Sequence, residues 1–189
     1  MLNMFRKIGV KDVMISGKEE DVERADKLLL PGVGAFDTGM SNLEASGLVP
    51  LLNQKVLQDK TPILGICLGM QMLTRKSEEG KRNGLGWIDG HTVKFRPDPA
   101  SKLRVPHMGW EYVRVQRANP LLSTDSNNRF YFVHSYHVVC DNDQQSLATA
   151  DFGGPFTCMV NKENIYGTQF HPEKSLRFGM ELLLNFSRI

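Results

Sequence analysis

The pattern of hydrophobic and polar positions changes twice along the chain. At the start, Leu2, Phe5 and Ile8 recur with helical spacing, which predicts a short helix over Met1–Ile8. At the end, an amphipathic pattern predicts a helix from about Ser175 to Phe186. Apolar runs of strand length lie between these two segments.

The first third of the chain alternates strand-like and helix-like segments. The run Lys27–Leu30 ends in three consecutive leucines, which is typical of a buried parallel strand, and a second such run leads into Cys67. Helical patterns alternate with these runs, which indicates an α/β fold. The predicted helices cover Glu19–Ala25, Phe36–Ser46 and Leu48–Asp59.

After residue 90 the chain becomes a series of short strand-like runs separated by proline, glycine, asparagine and aspartate. We therefore expect a doubly wound α/β fold whose sheet is mostly parallel with antiparallel additions, formed by residues 1–189 as a single domain. The runs are His91–Phe95, Trp110–Val115, Arg129–Val133, Tyr136–Cys140, Leu147–Ala150, Phe156–Asn161 and Ile165–Phe170.

Composition and charge narrow the function classes. The 189 residues are 41% hydrophobic and 23% charged with a formal net charge of +2, which argues against a nucleic-acid-binding surface. No apolar run is long enough to span a bilayer, so we expect no membrane partner. Three cysteines without a Cys-x-x-Cys pair or a signal peptide predict a reducing, cytoplasmic location and disfavour a disulfide framework or a metal site.

The most informative motif is Gly65-Ile66-Cys67-Leu68-Gly69. Small residues two before and two after a nucleophile allow a strand and a helix to pack closely around a strained turn, as in a nucleophile elbow. The pattern predicts that Cys67 is the nucleophile and that the backbone N–H of Leu68 faces the developing oxyanion. The alternative is a buried cysteine of the core.

A thiol nucleophile needs a base, and His171 in Phe170-His171-Pro172-Glu173 is the best of five histidines. In an extended chain Glu173 points to the same side and is able to orient the imidazole. The alternative is that this segment only starts the last helix, with Glu173 at its dipole. His134 and His137 are expected to be wall residues, with metal ligation the less favoured interpretation.

Three motifs in this order resemble the class I (triad) glutamine amidotransferases: Pro31-Gly32-Val33-Gly34, the Cys67 motif extended to Gln71, and Phe170–Ser175. Pro106–Trp110 and Tyr131–Tyr136 narrow the resemblance to the glutaminase subunit of imidazole glycerol phosphate synthase, the HisH family, and disfavour other triad amidotransferases. The resemblance covers essentially the whole chain and implies a flavodoxin-like fold. It also implies that Cys67 attacks glutamine, His171 transfers the proton and Glu173 orients His171.

The resemblance further implies a heterodimer with a (β/α)8-barrel cyclase of the HisF type, which receives the ammonia to make imidazole glycerol phosphate and an aminoimidazole carboxamide ribotide. No cofactor or metal is implied. The implied oxyanion donors are Gly34 and Leu68; the implied glutamine-binding residues are Gly32, Gln71, Glu79, Ser135 and Tyr136; and the implied interface or ammonia-passage residues are Met108, Trp110, Tyr131 and Lys174.

Two departures from the family pattern leave alternatives open. The family normally begins with a hydrophobic strand and an Asp-Tyr-Gly-x-Gly-Asn-like loop, so we expect a truncated chain or a misassigned start, with exposed strand edges. The segments His137–Cys140 and Asn164–Arg177 equally resemble HisH-like paralogues that supply ammonia for amidation of surface-polysaccharide sugars. A non-catalytic docking subunit is the remaining alternative.

Overall fold

A computed structural model describes residues 1–124 and 127–189. Helices and strands alternate in the first part of the chain and strands dominate the second. The helices are α1 Leu2–Lys7, α2 Glu19–Arg24, α3 Phe36–Ala45, α4 Val49–Asn53, α5 Leu68–Met72 and α6 Leu176–Phe186, with a π-helical turn at Gln54–Gln58. The strands are β1 Leu28–Gly32, β2 Ile63–Cys67, β3 Gly90–Lys94, β4 His107–Tyr112, β5 Arg114–Val115, β6 Arg129–His134, β7 Tyr136–Cys140, β8 Ser146–Asp151, β9 Pro155–Lys162 and β10 Ile165–Thr168.

The parallel part of the sheet consists of β1, β2 and β10, with β2 in the middle. Every residue of β2 is buried, as its continuous apolar sequence predicts. Gly32 is in register with Cys67, and Thr168 is in register with Ile66, so the three strands end at one edge of the sheet. Functional residues of α/β sheets gather at this carboxyl edge, and Cys67 lies there. β1 is the edge strand of the sheet and pairs only with β2 in the part of the chain that the structure describes.

Helices cover both faces of the parallel strands. Leu64 and Ile66 of β2 belong to one apolar cluster with residues of α1 and α6. Ile63 belongs to a second cluster with residues of α4 and α5. Because alternate residues of a strand point to opposite faces, the two clusters show the doubly wound arrangement that the sequence predicts.

The antiparallel part extends the sheet in the order β10, β9, β7, β3, and β8 pairs with both β9 and β5. β4 and β6 instead form a separate two-stranded sheet. The prediction of one strand over Trp110–Val115 is wrong, because the chain changes sheets at Val113. There the Val113 side chain is buried and its backbone N–H donates to the Asn128 carbonyl, after which β5 joins β8.

Within residues 1–124 and 127–189, none of the helices has the length and apolar character needed to cross a membrane.

Candidate active site

Cys67 occupies a strained turn between β2 and α5. Its backbone has φ 54° and ψ −109°, a conformation that non-glycine residues rarely adopt. A Cβ at Gly65 would lie 2.8 Å from the backbone of Gly69, and a Cβ at Gly69 would lie 1.7 Å from the Leu30 carbonyl oxygen. The two glycines are therefore required by close packing, as the elbow motif predicts. Cys67 is 8% exposed, so it is part of the core and also reaches a cavity.

His171 and Glu173 form a hydrogen-bonded pair. His171 Nδ1 lies 2.7 Å from Glu173 Oε1, and Cys67 lies close enough to His171 to act on its pKa. Pro172–Lys174 form a 3-10 turn, and α6 begins only at Leu176. Glu173 therefore lies before α6 and contacts the imidazole, so the alternative in which this segment simply starts the last helix is wrong.

The surroundings of His171 favour its charged form. Burial by itself lowers the pKa of His171, but its hydrogen bonds to Cys67 and Glu173, together with their charges, raise that pKa to about 9. Burial also acts to raise the pKa of Glu173, but the hydrogen bond and charge of His171 outweigh it and the pKa is lowered. Near neutral pH the pair is therefore an imidazolium and a carboxylate.

The backbone of His171 is fixed to β6. The His171 N–H donates to the Tyr131 carbonyl at 3.0 Å, and the Ser175 hydroxyl donates to the His171 carbonyl at 2.6 Å. The same Ser175 oxygen accepts from the Tyr131 N–H at 3.0 Å. Ser175 is fully buried, so these bonds are shielded from water and hold the imidazole in place.

A cavity of about 420 Å³ opens in front of Cys67, which is within the size range of small-molecule sites. Most of the residues predicted for catalysis and glutamine binding line it. Glu173 and Gly32 do not line it: Glu173 contacts the lining residue His171, and a Cβ at Gly32 would lie 3.0 Å from the Leu68 Cβ, so Gly32 lies beneath the wall. The lining residues are Val33, Gly34, Cys67, Leu68, Gln71, Glu79, Pro106, Val133, His134, Ser135, Tyr136, His171 and Lys174.

The glycine-rich loop after β1 forms one side of this cavity. Gly34 has φ +92°, a Cβ added to it would meet nothing within 4 Å, and Val33 is 81% exposed, so little packing fixes the loop itself. Its far end is held, because the Phe36 N–H donates to Glu79 Oε2 at 2.9 Å. The Asp37 carboxylate makes a second connection between the same two segments, because it accepts hydrogen bonds from the backbone N–H groups of Lys81 and Arg82.

The predicted interface residues form one surface next to the cavity. Trp110 of β4 faces Tyr131 of β6 in register, and their rings meet edge to face with centroids 6.2 Å apart. Lys174 Nζ lies 5.8 Å from the centroid of the Tyr131 ring, and Met108 is 62% exposed. The surface therefore runs from the cavity wall at Lys174 to exposed apolar side chains.

Comparison with known proteins identifies the family. The profile described as "Glutamine amidotransferase class-I" matches residues 2–188. The chain belongs to the class I glutamine amidotransferases. It is 52% identical to "Imidazole glycerol phosphate synthase subunit HisH 2" of Methanococcus maripaludis, covering 97% of this chain and 90% of that protein. It is 48% identical to the protein of the same name from Pseudomonas aeruginosa, covering 98% of this chain and 91% of that protein, which places it in the HisH family.

Solved structures agree with this assignment at the level of the fold. A crystal structure described as a glutamine amidotransferase superposes with a TM-score of 0.71 at 18% identity and covers 98% of this chain and 89% of that chain. A putative GMP synthase protein from Thermoplasma acidophilum superposes with a TM-score of 0.67 at 21% identity, covering 97% of this chain and 83% of that chain. The predicted flavodoxin-like α/β fold of the amidotransferases is thus confirmed.

Three residues of this amidotransferase site are not predicted by the sequence patterns. Gln169 and Ser175 contact the reactive residues, and His107 contacts the wall residue His134. Gln169 had a usable signal, because it lies two residues before His171 and therefore faces the same side of an extended chain. The contact of His107 with His134 depends on the pairing of β4 with β6, and Ser175 meets Tyr131 across more than forty residues of chain, neither of which the sequence pattern specifies.

The two histidines expected in the wall have different positions. His134 lines the cavity, whereas His137 stacks on Phe95 with ring centroids 4.5 Å apart. Among the described residues there is no group of three or more histidine, cysteine, aspartate or glutamate side chains that is arranged to hold a metal ion.

Proposed function

We propose that the chain is the glutaminase subunit of an imidazole glycerol phosphate synthase. The observation that carries the proposal is the juxtaposition of Cys67 and His171 at a cavity of about 420 Å³, with Glu173 hydrogen-bonded to His171. The HisH relatives at 52% and 48% identity carry that enzyme's name. The match of one family profile over residues 2–188 supports a single domain. The three free cysteines support a cytoplasmic location, because free thiols are usual in reducing compartments.

In the proposed reaction the Cys67 sulfur attacks the side-chain carboxamide carbon of L-glutamine, and the carbonyl oxygen becomes an oxyanion. His171 donates a proton to the nitrogen, the C–N bond breaks, and ammonia leaves a γ-glutamyl thioester on Cys67. The neutral imidazole then takes a proton from water, which attacks the thioester. Collapse of that adduct releases glutamate and returns the sulfur to its starting state.

We assign the oxyanion donors to the N–H groups of Gly34 and Leu68, which both border the cavity. Glutamine's amino-acid end is assigned to Gln71, Glu79, Ser135 and Tyr136. Glu79 carries the only carboxylate among the described lining residues, so it is the group suited to the α-ammonium. Gly32 acts indirectly, by allowing β1 to approach Leu68.

We assign the surface around Met108, Trp110, Tyr131 and Lys174 to contact with a HisF-type barrel in a heterodimer. Methionine and aromatic side chains, such as Met108, Trp110 and Tyr131, are enriched in the central part of protein interfaces. Lys174 belongs to this surface and to the cavity wall, so ammonia released at Cys67 would pass close to it.

The test uses the full chain with a HisF-type cyclase and the phosphoribosyl-formimino substrate. We expect glutamine-dependent formation of imidazole glycerol phosphate, and we expect Cys67→Ser to abolish it while free ammonia still supports the cyclase. Glutamate release without transfer to the cyclase would instead favour a paralogue that feeds a sugar amidation. No glutamate release by the complex would favour a docking subunit.

A further inference from the structure

Gln169 brings an amide to the sulfur of Cys67. It follows the last residue of β10 and is fully buried, and its side chain Nε2 lies 3.7 Å from Cys67 Sγ. The backbone N–H of Gln169 donates to the backbone carbonyl of Cys158 at 2.8 Å, so the backbone of Gln169 is held against β9. A buried amide in contact with a reactive sulfur is poised to affect the charge on that sulfur.

Neighbouring hydrogen bonds fix which atom of this amide faces the sulfur. The Tyr136 carbonyl is only an acceptor, so the Gln71 group 3.2 Å from it is the NH2 group. The same Gln71 nitrogen lies 3.0 Å from the outer end of Gln169, which must therefore be the oxygen. The NH2 group of Gln169 then points at Cys67 Sγ.

We propose that Gln169 is a further catalytic residue, whose amide N–H donates a hydrogen bond to the Cys67 thiolate and stabilises it before attack and as the leaving group of the thioester. Hydrogen bonds to charged acceptors are stronger than those to neutral ones, and burial increases their strength. This donor and the imidazolium of His171 would share the sulfur's negative charge. The inference rests on the proposed glutaminase function for the role of the thiolate.

The test measures alkylation of Cys67 by iodoacetamide against pH in the full chain, following the mass of the Cys67 peptide so that Cys140 and Cys158 do not contribute. In Gln169→Met, which removes the donor at similar size, we expect the midpoint of the pH profile to rise by about one unit, so that the rate at pH values below both midpoints falls by up to about tenfold. At high pH, where every Cys67 is ionised, the variant should react as fast as wild type or faster, because a less stabilised thiolate is more nucleophilic.

Two variants make the result specific. Gln169→Glu keeps the shape and the bond from Gln71, so it is the second variant in case Gln169→Met fails to fold. It should raise the midpoint further, because its carboxylate repels the thiolate. Gln145→Met is the matched control, because Gln145 is another buried glutamine and its amide bonds Asp89. It should leave the Cys67 profile unchanged.

Coincident midpoints for wild type, Gln169→Met and Gln169→Glu would overturn the proposal. The alkylation readout needs no glutamine turnover, so absence of glutaminase activity in the wild type would refute the proposed function without deciding this one. A tenfold fall in kcat/KM for glutamate release, without a shift in the alkylation midpoint, would also count against it.

Discussion

His107 Nδ1 of β4 lies 3.1 Å from Nε2 of its cross-strand neighbour His134 of β6; both imidazoles are buried, and His134 lines the cavity. His134 Nδ1 lies 2.7 Å from the Tyr136 carbonyl oxygen, which only accepts, so the His134 proton is on Nδ1. His134 Nε2 then accepts from His107. This arrangement holds only when His134 is neutral, and burial lowers the pKa of His107 to about 4 and of His134 to about 3.

The first prediction concerns stability in acid. In the unfolded chain both histidines take up a proton near pH 6.5, whereas in the folded chain His107 does so only near pH 4 and His134 only near pH 3. Because the unfolded chain binds more protons below pH 6.5, the contribution of the two histidines to stability is complete above pH 6.5 and is lost as the pH falls. Each histidine adds a slope of up to about 1.4 kcal/mol per pH unit in this range. We expect His134→Gln to reduce the slope of the unfolding free energy between pH 6 and 4, measured by urea denaturation. His91→Gln, at a more exposed histidine, is the control, and equal slopes in wild type and His134→Gln would contradict the prediction.

The second prediction concerns the elbow. A Cβ at Gly69 would lie 1.7 Å from the Leu30 carbonyl oxygen, so Gly69→Ala must move β1 or α5. We expect a loss of more than about 3 kcal/mol of stability, or failure to fold, by analogy with severe overpacking. Gly17→Ala is the matched control, because no atom lies within 4 Å of its Cβ position, and it should be neutral within about 0.5 kcal/mol. Thermal unfolding followed by circular dichroism compares the two variants, and a Gly69→Ala protein as stable as wild type would show that β1 and α5 do not approach each other this closely.

The third prediction separates the roles of His171 and Glu173. Glu173 accepts no proton in the proposed reaction, so Glu173→Gln should reduce glutamate release less than His171→Ala, which removes a general acid and base contributing about 10²–10⁴-fold. The charge of Glu173 helps raise the pKa of His171 to about 9. In Glu173→Gln the alkaline limb of the pH–rate profile should therefore move to lower pH. Equal, complete loss in two folded variants would assign Glu173 more than an orienting role.

These predictions depend to different degrees on the sequence alone. The elbow at Cys67 and the pairing of His171 with Glu173 involve residues at most four apart, so their spacing specifies their geometry. The separate β4 and β6 sheet was not predictable in this way, because the pairing of Trp110 with Tyr131 joins residues far apart in sequence. Gln169 contacts Cys67 for the same reason: β10 pairs with β2 across more than ninety residues of chain, and only that pairing brings the amide to the sulfur.

The last prediction concerns control of the glutaminase by the proposed HisF-type partner. Gly34 has φ +92° in a loop that little packing fixes, so the peptide that we assign to the oxyanion hole is able to adopt two orientations. An oxyanion donor contributes about 3–4 kcal/mol, so an inactive orientation reduces the rate by about a hundredfold or more. We therefore expect slow glutamate release by the free chain and strong acceleration by a HisF-type barrel with its ligand.

A partner selects the active orientation only through contacts that differ between the two states. Lys174 is the residue best placed to transmit them, because it lines the cavity and lies over Tyr131, whose backbone holds His171. We expect Lys174→Ala to reduce the ratio of complex rate to free rate at least about tenfold, which corresponds to a loss of about 1.4 kcal/mol of coupling between the partner and the site. Lys60→Ala, which removes an exposed lysine paired with Glu163, should leave that ratio unchanged. Steady-state glutamate release is measured for each chain alone, with the barrel, and with the barrel and ligand. Full activity in the free chain, unaffected by the barrel, would favour a stand-alone glutaminase and rule out this form of control.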